Sequence, residues 1–264
     1  MKLTMKILVI WDYIEDIYHN CISKPNPEWT YPTYIECSSF TVWGWAAHVR
    51  DCLESLEIDV DFLFSKFWYN RKHRYVDWEK AEVVFRVDDE KEFMPLDDEF
   101  IAELDNYSLI IVSDYNKWTI SKEFAEKLPK DRLIVDTKPD HFDWFKWAYI
   151  IKPNRKEFMS TWLTQEEFVK KYDCNLFLTL WEDGAEVYTR DWQQRSMKAL
   201  NANPVSVCWA WDAFLSWMVY WLTTWWIYNA LLYWSLCSAI SCSHAWTNCP
   251  ILADVMKLKW ELGL

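Results

Sequence analysis

MKILVIWD, residues 5–12, is a short run of apolar and β-branched residues that ends on a carboxylate. Such a run is what a strand buried on both faces needs, and a polar residue at its carboxyl end is where an open α/β sheet places a ligand site. The pattern recurs in IDVDFLF (58–64), YSLIIVSD (107–114), RLIVDTKP (132–139), AYIIKPN (148–154) and CNLFLTLWEDG (174–184), with helical segments between several of them. This alternation predicts an α/β fold in three layers, a mostly parallel central sheet covered by helices. Two stretches break the pattern. Residues 17–43, rich in Pro, Thr and Tyr, predict short exposed strands, and HRYVDWEKAEVVFRVD (73–88) predicts a hairpin, provided that position 78 behaves as glycine. Together they predict a small β lid, with strands from about 13–43 and 70–90, on a single domain spanning 1–264.

A chain of 264 residues with 52% hydrophobic content can bury a core without disulfides. Its net charge of −12 argues against nucleic acid as a partner, because no basic surface is available for a phosphate backbone. The eight cysteines lack paired zinc spacing, and the amino terminus lacks the apolar run of a secretion signal, so reduced thiols in a cytoplasm are expected. Cys237, Cys242, His244 and Cys249 follow spacings of 5, 2 and 5, unlike those of structural zinc sites.

Residues 213–253 contain no Asp, Glu, Lys or Arg. Length alone admits a membrane span. Thr223, Thr224 and Asn229, with no flanking basic cluster, favour instead two buried helices joined by a turn near Trp225, and no membrane partner.

VSVCWAWDAFLSW (205–217) leads into that apolar segment. Were Trp209 and Trp211 glycines, Trp209, Ala210 and Trp211 would bring bare backbone amides to a helix N-terminus, where an anion is stabilised. Asp212 could then take a proton from an attacking hydroxyl. Read locally, the same aspartate only stabilises its own helix.

Gly-Ala-Gly-Asp before a helix resembles the signature of the ribokinase-like carbohydrate kinases. VIWDYIEDIY (9–18) resembles that family's Gly-Asp start, WGWAAHV (43–49) its Gly-Gly-Ala-Ala-Asn-Val sugar-binding turn, and IIVSDYNKW (110–118) its Ser-Asp-Tyr-x-Lys-Gly. VDTK (135–138) resembles Val-Asp-Pro-Lys, and KPNRKEF (152–158) is close to verbatim. With FRVDDE (85–90), the set is similar to the heptose-7-phosphate kinase branch, the kinase half of bifunctional heptose kinase/adenylyltransferases.

The resemblance implies a ribokinase-like fold, ATP and Mg²⁺ as cofactors, a sugar phosphate as substrate, and a lid that either forms a homodimer or closes over its own site. It implies Asp212 as general base and the backbone of residues 209–212 as the anion hole. Asp12, Asp16, Gly44, Trp45 and His48 would line the sugar pocket, with Lys72 and Arg74 facing the substrate's phosphate. Asn154, Thr179, Trp181 and Gly184 would border the nucleotide, and Asn154 and Glu157 would hold the magnesium-water shell. From the residues alone, Asn154 and Glu157 read equally as a helix cap with its reciprocal partner, and Lys72 and Arg74 as a solvated basic run.

Two departures stand out: His48 replaces the family's sugar-contacting Asn, and the segment between FLFSKFW (62–68) and NRKHRYV (70–76) is shortened. Two alternatives stay open, a kinase for another sugar or a nucleoside and a non-catalytic binding remnant. Composition adds an anomaly. Glycine averages roughly 7% of residues, yet this chain has 3 Gly and 21 Trp. Trp11, Trp45, Trp118, Trp181, Trp209, Trp211 and Trp246 stand where the family has glycine, which leads to the hypothesis that UGA codons read as glycine in the source organism are rendered here as tryptophan.

Overall fold

The computed structural model describes residues 6–43, 52–54, 58–65, 70–80, 82–90, 95–200, 227–243 and 250–264. The chain forms two compact units. The larger comprises Met1–Asp12, Trp45–Phe64 and Pro95–Leu264, and the smaller Tyr13–Gly44 and Ser65–Met94.

The larger unit is built on eight strands. Six are parallel: β1 (Lys6–Trp11), β4 (Asp59–Leu63), β7 (Leu109–Asp114), β8 (Leu133–Thr137), β9 (Ile150–Ile151) and β10 (Asn175–Thr179). They lie in the order β4-β1-β7-β8-β9-β10, and two antiparallel strands, β11 (Ala185–Tyr188) and β12 (Gln194–Met197), extend the sheet beyond β10. Their side chains alternate between faces. Leu8, Ile10, Ile110, Val112, Leu133 and Val135 pack with Phe124 of α1 (Lys122–Lys127), Phe158 of α2 (Arg155–Met159) and Phe168 of α3 (Gln165–Tyr172). Ile7, Val9, Ile111, Ile134 and Phe177 are equally buried. The Phe177 ring meets Trp234 of α4 (Ile227–Cys242) edge-on at 6.2 Å, so a helix lies over that face too. Burial on both faces is why the strands read as continuous apolar runs, each such side chain contributing roughly 1.5–3 kcal/mol. The helix α5 (Leu252–Glu261) packs Val255 against Tyr233, Leu236 and Cys237 of α4.

Among the described residues no helix is long and apolar enough to cross a membrane. The turn expected at Trp225 lies outside those residues; Cys52–Glu54 are helical, with Cys52 and Leu53 buried.

The smaller unit is a four-stranded sheet in the order β3-β2-β5-β6. β2 (Ile14–Lys24) and β3 (Thr33–Trp43) form one antiparallel hairpin, β5 (Asn70–Asp77) and β6 (Glu82–Asp89) another, and β2 joins β5 in parallel. The second hairpin forms without glycine at 78. Asp77 turns the chain instead, its Oδ1 accepting the amides of Glu79 and Lys80 at 3.1 and 3.3 Å, the local side-chain turn that aspartate favours.

Gly184 has φ +94°, and an added Cβ would lie 2.0 Å from the Met197 carbonyl oxygen and 2.6 Å from the Ala199 amide. Gly263, at φ +66°, has nothing within 4 Å of such a Cβ. Gly184→Ala is therefore expected to lower stability by at least about 1–3 kcal/mol, and Gly263→Ala by less, in paired urea denaturations.

Candidate active site

Six parallel strands ending along one edge set polar residues side by side. Register places Trp11 opposite Ser113, Ser113 opposite Asp136, and Asp114 opposite Thr137. Asp12, directly after β1, is only 1% exposed. Its Oδ2 accepts the amides of Tyr115 and Lys117 at 2.7 and 3.0 Å, and its Oδ1 that of Thr119 at 3.3 Å. The carboxylate thus holds the loop after β7 from inside. Asp12, which the resemblance places in the sugar pocket, has the geometry of a loop anchor, with both oxygens engaged by backbone. Burial, then the charge of Asp114, raises its pKa to about 6, against the opposing pull of those hydrogen bonds.

Asp114, also buried, accepts from the Thr137 hydroxyl and from His141 Nδ1, each at 2.6 Å, and from the Asn116 amide at 2.9 Å. His141 stacks on Trp144 at 3.5 Å between ring centroids. The motif SDYNKW was legible, but the roles of Asp114, Thr137 and His141 were not, because their contacts join two chain segments more than twenty residues apart.

A second cluster follows β8 and β9. Lys152 Nζ lies 3.0 Å from Asp136 Oδ2, and Lys138 Nζ lies 2.8 Å from Glu157 Oε1. Asp136 is raised above the usual carboxylate range by burial, which outweighs the attraction of Lys152. For Lys138, burial lowers the ammonium's pKa, but the Glu157 charge and hydrogen bond reverse that and leave it raised. Asn154 caps α2. Its Oδ1 accepts the Glu157 amide at 2.9 Å, and Glu157 Oε2 accepts the Asn154 amide at 3.0 Å, a complete capping box. Asn154 also forms a parallel bridge to Thr179, whose amide and hydroxyl both reach the Pro153 carbonyl at 3.2 Å. Beyond Thr179, the 3-10 turn Trp181–Asp183 leads to Gly184 and is tied to α2 by Arg155, which bonds the Leu180 carbonyl at 3.2 Å and Asp183. The structure thus brings Asn154, Glu157 and Thr179 together and places Trp181 and Gly184 on the turn that follows.

In the smaller unit, Asp16 accepts from Arg74 Nε at 2.7 Å and lies opposite Lys72 in the β2–β5 register. Arg74 faces Arg86 across β5 and β6, a like-charge pair eased because Arg86 bonds Asp88 at 2.7 Å. Burial depresses the Lys72 pKa; Asp16 opposes the shift while Arg74 and Arg86 add to it. Arg86 and Asp88 were quoted in FRVDDE, yet only the strand register shows that they share a face with Lys72 and Arg74.

Trp11 lies in β1, buried against the rings of Phe62 and Phe64. Gly44, Trp45, His48, Trp209, Ala210, Trp211, Asp212 and Trp246 lie outside the described residues. So do His244 and Cys249; Cys237 and Cys242 are free thiols whose pKa values are raised by burial.

No protein-family model matches the chain. An uncharacterized protein of Methanocaldococcus jannaschii, MJ1336, is 30% identical over 156 residues, covering 50% of this chain and 99% of that one. The bifunctional protein HldE of Rhodopseudomonas palustris is 32% identical over 100 residues, 35% of this chain; only 19% of HldE's own length is matched. Among solved structures, phosphofructokinase-2 of Escherichia coli superposes with a TM-score of 0.76 at 12% identity, covering 98% of this chain and 100% of that one. Arabidopsis thaliana ribokinase, solved with ribose and ATP, gives 0.72 at 12% identity, with coverages of 97% and 99%. The fold is therefore that of the ribokinase-like carbohydrate kinases. By sequence, the chain belongs to one family with the M. jannaschii protein.

Because the folded state binds the Asp12 proton more tightly than the unfolded chain, stability from this group is present below pH about 4. It is lost as pH rises through about 6, a fall of about 3 kcal/mol. Urea denaturation across pH 4–7 is expected to show that decline in the native chain and a flatter profile in Asp12→Asn; parallel profiles would contradict it.

Proposed function

We propose that this chain is an ATP-dependent sugar kinase that transfers the γ-phosphoryl group to a hydroxyl of a heptose phosphate or similar sugar. The observation that carries the reading is the row of polar residues, from Asp136 and Lys138 through Lys152, Asn154 and Glu157 to Thr179, at the carboxyl ends of parallel strands. That edge is where open α/β sheets bind ligands. The likeness to HldE over a third of the chain supports a heptose phosphate as acceptor.

In this reading Asp212 takes the proton of the attacking hydroxyl, and the backbone of residues 209–212 cradles the transferring group. Thr179, Trp181 and Gly184 border the nucleotide. Lys72 and Arg74 bind the acceptor's phosphate, and Asp16 holds Arg74 in position. Among the described residues no group of three or more His, Cys, Asp or Glu is placed to hold a metal. Glu157 already bonds Lys138 and the Asn154 amide. Asn154 and Glu157 therefore suit the water shell of Mg²⁺ rather than direct ligation, as expected for an ion that keeps several waters. Bound there, the ion would neutralise phosphate charge.

A second reading, a kinase for a nucleoside or another sugar, is favoured by His48 at the sugar-contacting position. A third is a non-catalytic binder. We also propose that a homodimer, if formed, uses the smaller sheet, whose edge strand β6 exposes Val83, Phe85 and Val87.

A coupled assay of ADP release over heptose phosphates, hexose phosphates, free sugars and nucleosides tests these readings. Fastest turnover on a heptose phosphate supports the first, a preference for nucleosides or unphosphorylated sugars the second, and ATP binding without turnover the third. With glycine in place of Trp209 and Trp211, turnover is expected, and Asp212→Asn is expected to abolish it with the fold retained. Lys72→Ala and Arg74→Ala should each raise KM for a phosphorylated acceptor by roughly tenfold or more, the worth of one charge-assisted hydrogen bond. KM for ATP should hold.

A further inference from the structure

Left-handed backbone suits glycine, is tolerated by Asn and Asp, and crowds the Cβ of other L-residues against a neighbouring carbonyl. Among the described residues, seven that are not glycine have φ between 48° and 72°. Two are Asn116 and Asp173. The other five are Trp118, Trp147, Trp162, Trp181 and Trp192, and no other residue type occurs in the set.

Each conformation is fixed by its neighbours. Trp118 and Asn116 curl the loop whose alternate amides, at 115, 117 and 119, converge on Asp12. Trp147 donates its amide to the Tyr172 carbonyl at 2.8 Å while its own carbonyl accepts from Arg190 at 2.8 Å. Trp162 follows α2 with its amide on Met159, where a helix end favours glycine. Trp181 accepts the Gly184 amide in the tight turn before β11. Trp192 closes the β11–β12 hairpin, with paired bonds between Thr189 and residues 192 and 193, the position where a three-residue hairpin loop or bulge takes glycine.

The indoles do little to offset this. All five residues are between 54% and 93% exposed. Trp144 contrasts with them: its φ is not positive, and it stacks on His141 and packs against the core.

We infer that positions 118, 147, 162, 181 and 192 are glycine in the protein as its own cell makes it, each from a UGA codon read there as glycine, whereas Trp144 is tryptophan. Of these five positions, family motifs mark only 118 and 181. The backbone alone adds 147, 162 and 192, which no motif identified, and the inference holds whatever the protein's substrate.

Peptide mass spectrometry of the protein from its source cells, with the gene sequence, decides it. Glycine at all five positions with UGA codons, and tryptophan at 144 with UGG, is the expected result; tryptophan at the five overturns it. A second arm uses recombinant protein with the sequence as written. Replacing the five tryptophans by glycine together should raise the folded-to-unfolded ratio by roughly tenfold or more, while Trp144→Gly lowers it. A fivefold variant less stable than the starting chain would count against the inference.

Discussion

A carboxylate cannot stay buried without donors, and Asp12 finds three in the backbone of one loop. That arrangement ties the end of β1 to the chain leaving β7, its neighbour in the sheet. The loop can present three amides inward only because two of its residues adopt left-handed backbone. Asp114, fixed from the other side by Thr137 and His141, extends the same network to β8 and the turn beyond it. The polar edge of the sheet is therefore held as a unit, and its electrostatics follow from crowding two carboxylates out of water.

The second cluster obeys a different rule. Asp136 with Lys152, and Glu157 with Lys138, are opposite charges paired within the protein. Paired charges at a strand edge are cheaper to hold than isolated ones, and a triphosphate entering there would find cations whose partners can be exchanged. Glu157 serves its helix, Lys138 and Asn154 at once, so the cap and the candidate nucleotide site are one construction. The capping and functional readings of Asn154 and Glu157 are not exclusive.

Much of this was visible in the residues. Runs such as SLIIVSD and RLIVDT announce buried parallel strands because both faces must be apolar, and the spacing of Asn154 and Glu157 announces a capped helix. β11 and β12 were missed, since AEVY and QRSM are short and the second is polar. The hairpin at Asp77 was expected for the wrong reason: an aspartate side chain makes the turn, not a small residue at 78. Long-range partners, His141 for Asp114 and Arg86 beside Arg74, needed the register. The left-handed tryptophans at 147, 162 and 192 needed the backbone, because exposed indoles leave no periodicity to read.

The smaller sheet is assembled from two visits of the chain, and its central pairing joins β2 to β5 across more than fifty residues, from Ile14↔Asn70 to Cys21↔Asp77. When β2 and β3 leave the ribosome, β2 shows a bare row of amides and carbonyls until β5 has been synthesised. An open edge of that kind recruits strands from other nascent chains. Premature termination between the two visits would thus release a sticky hairpin, and the interval before β5 arrives is when a chaperone would matter most.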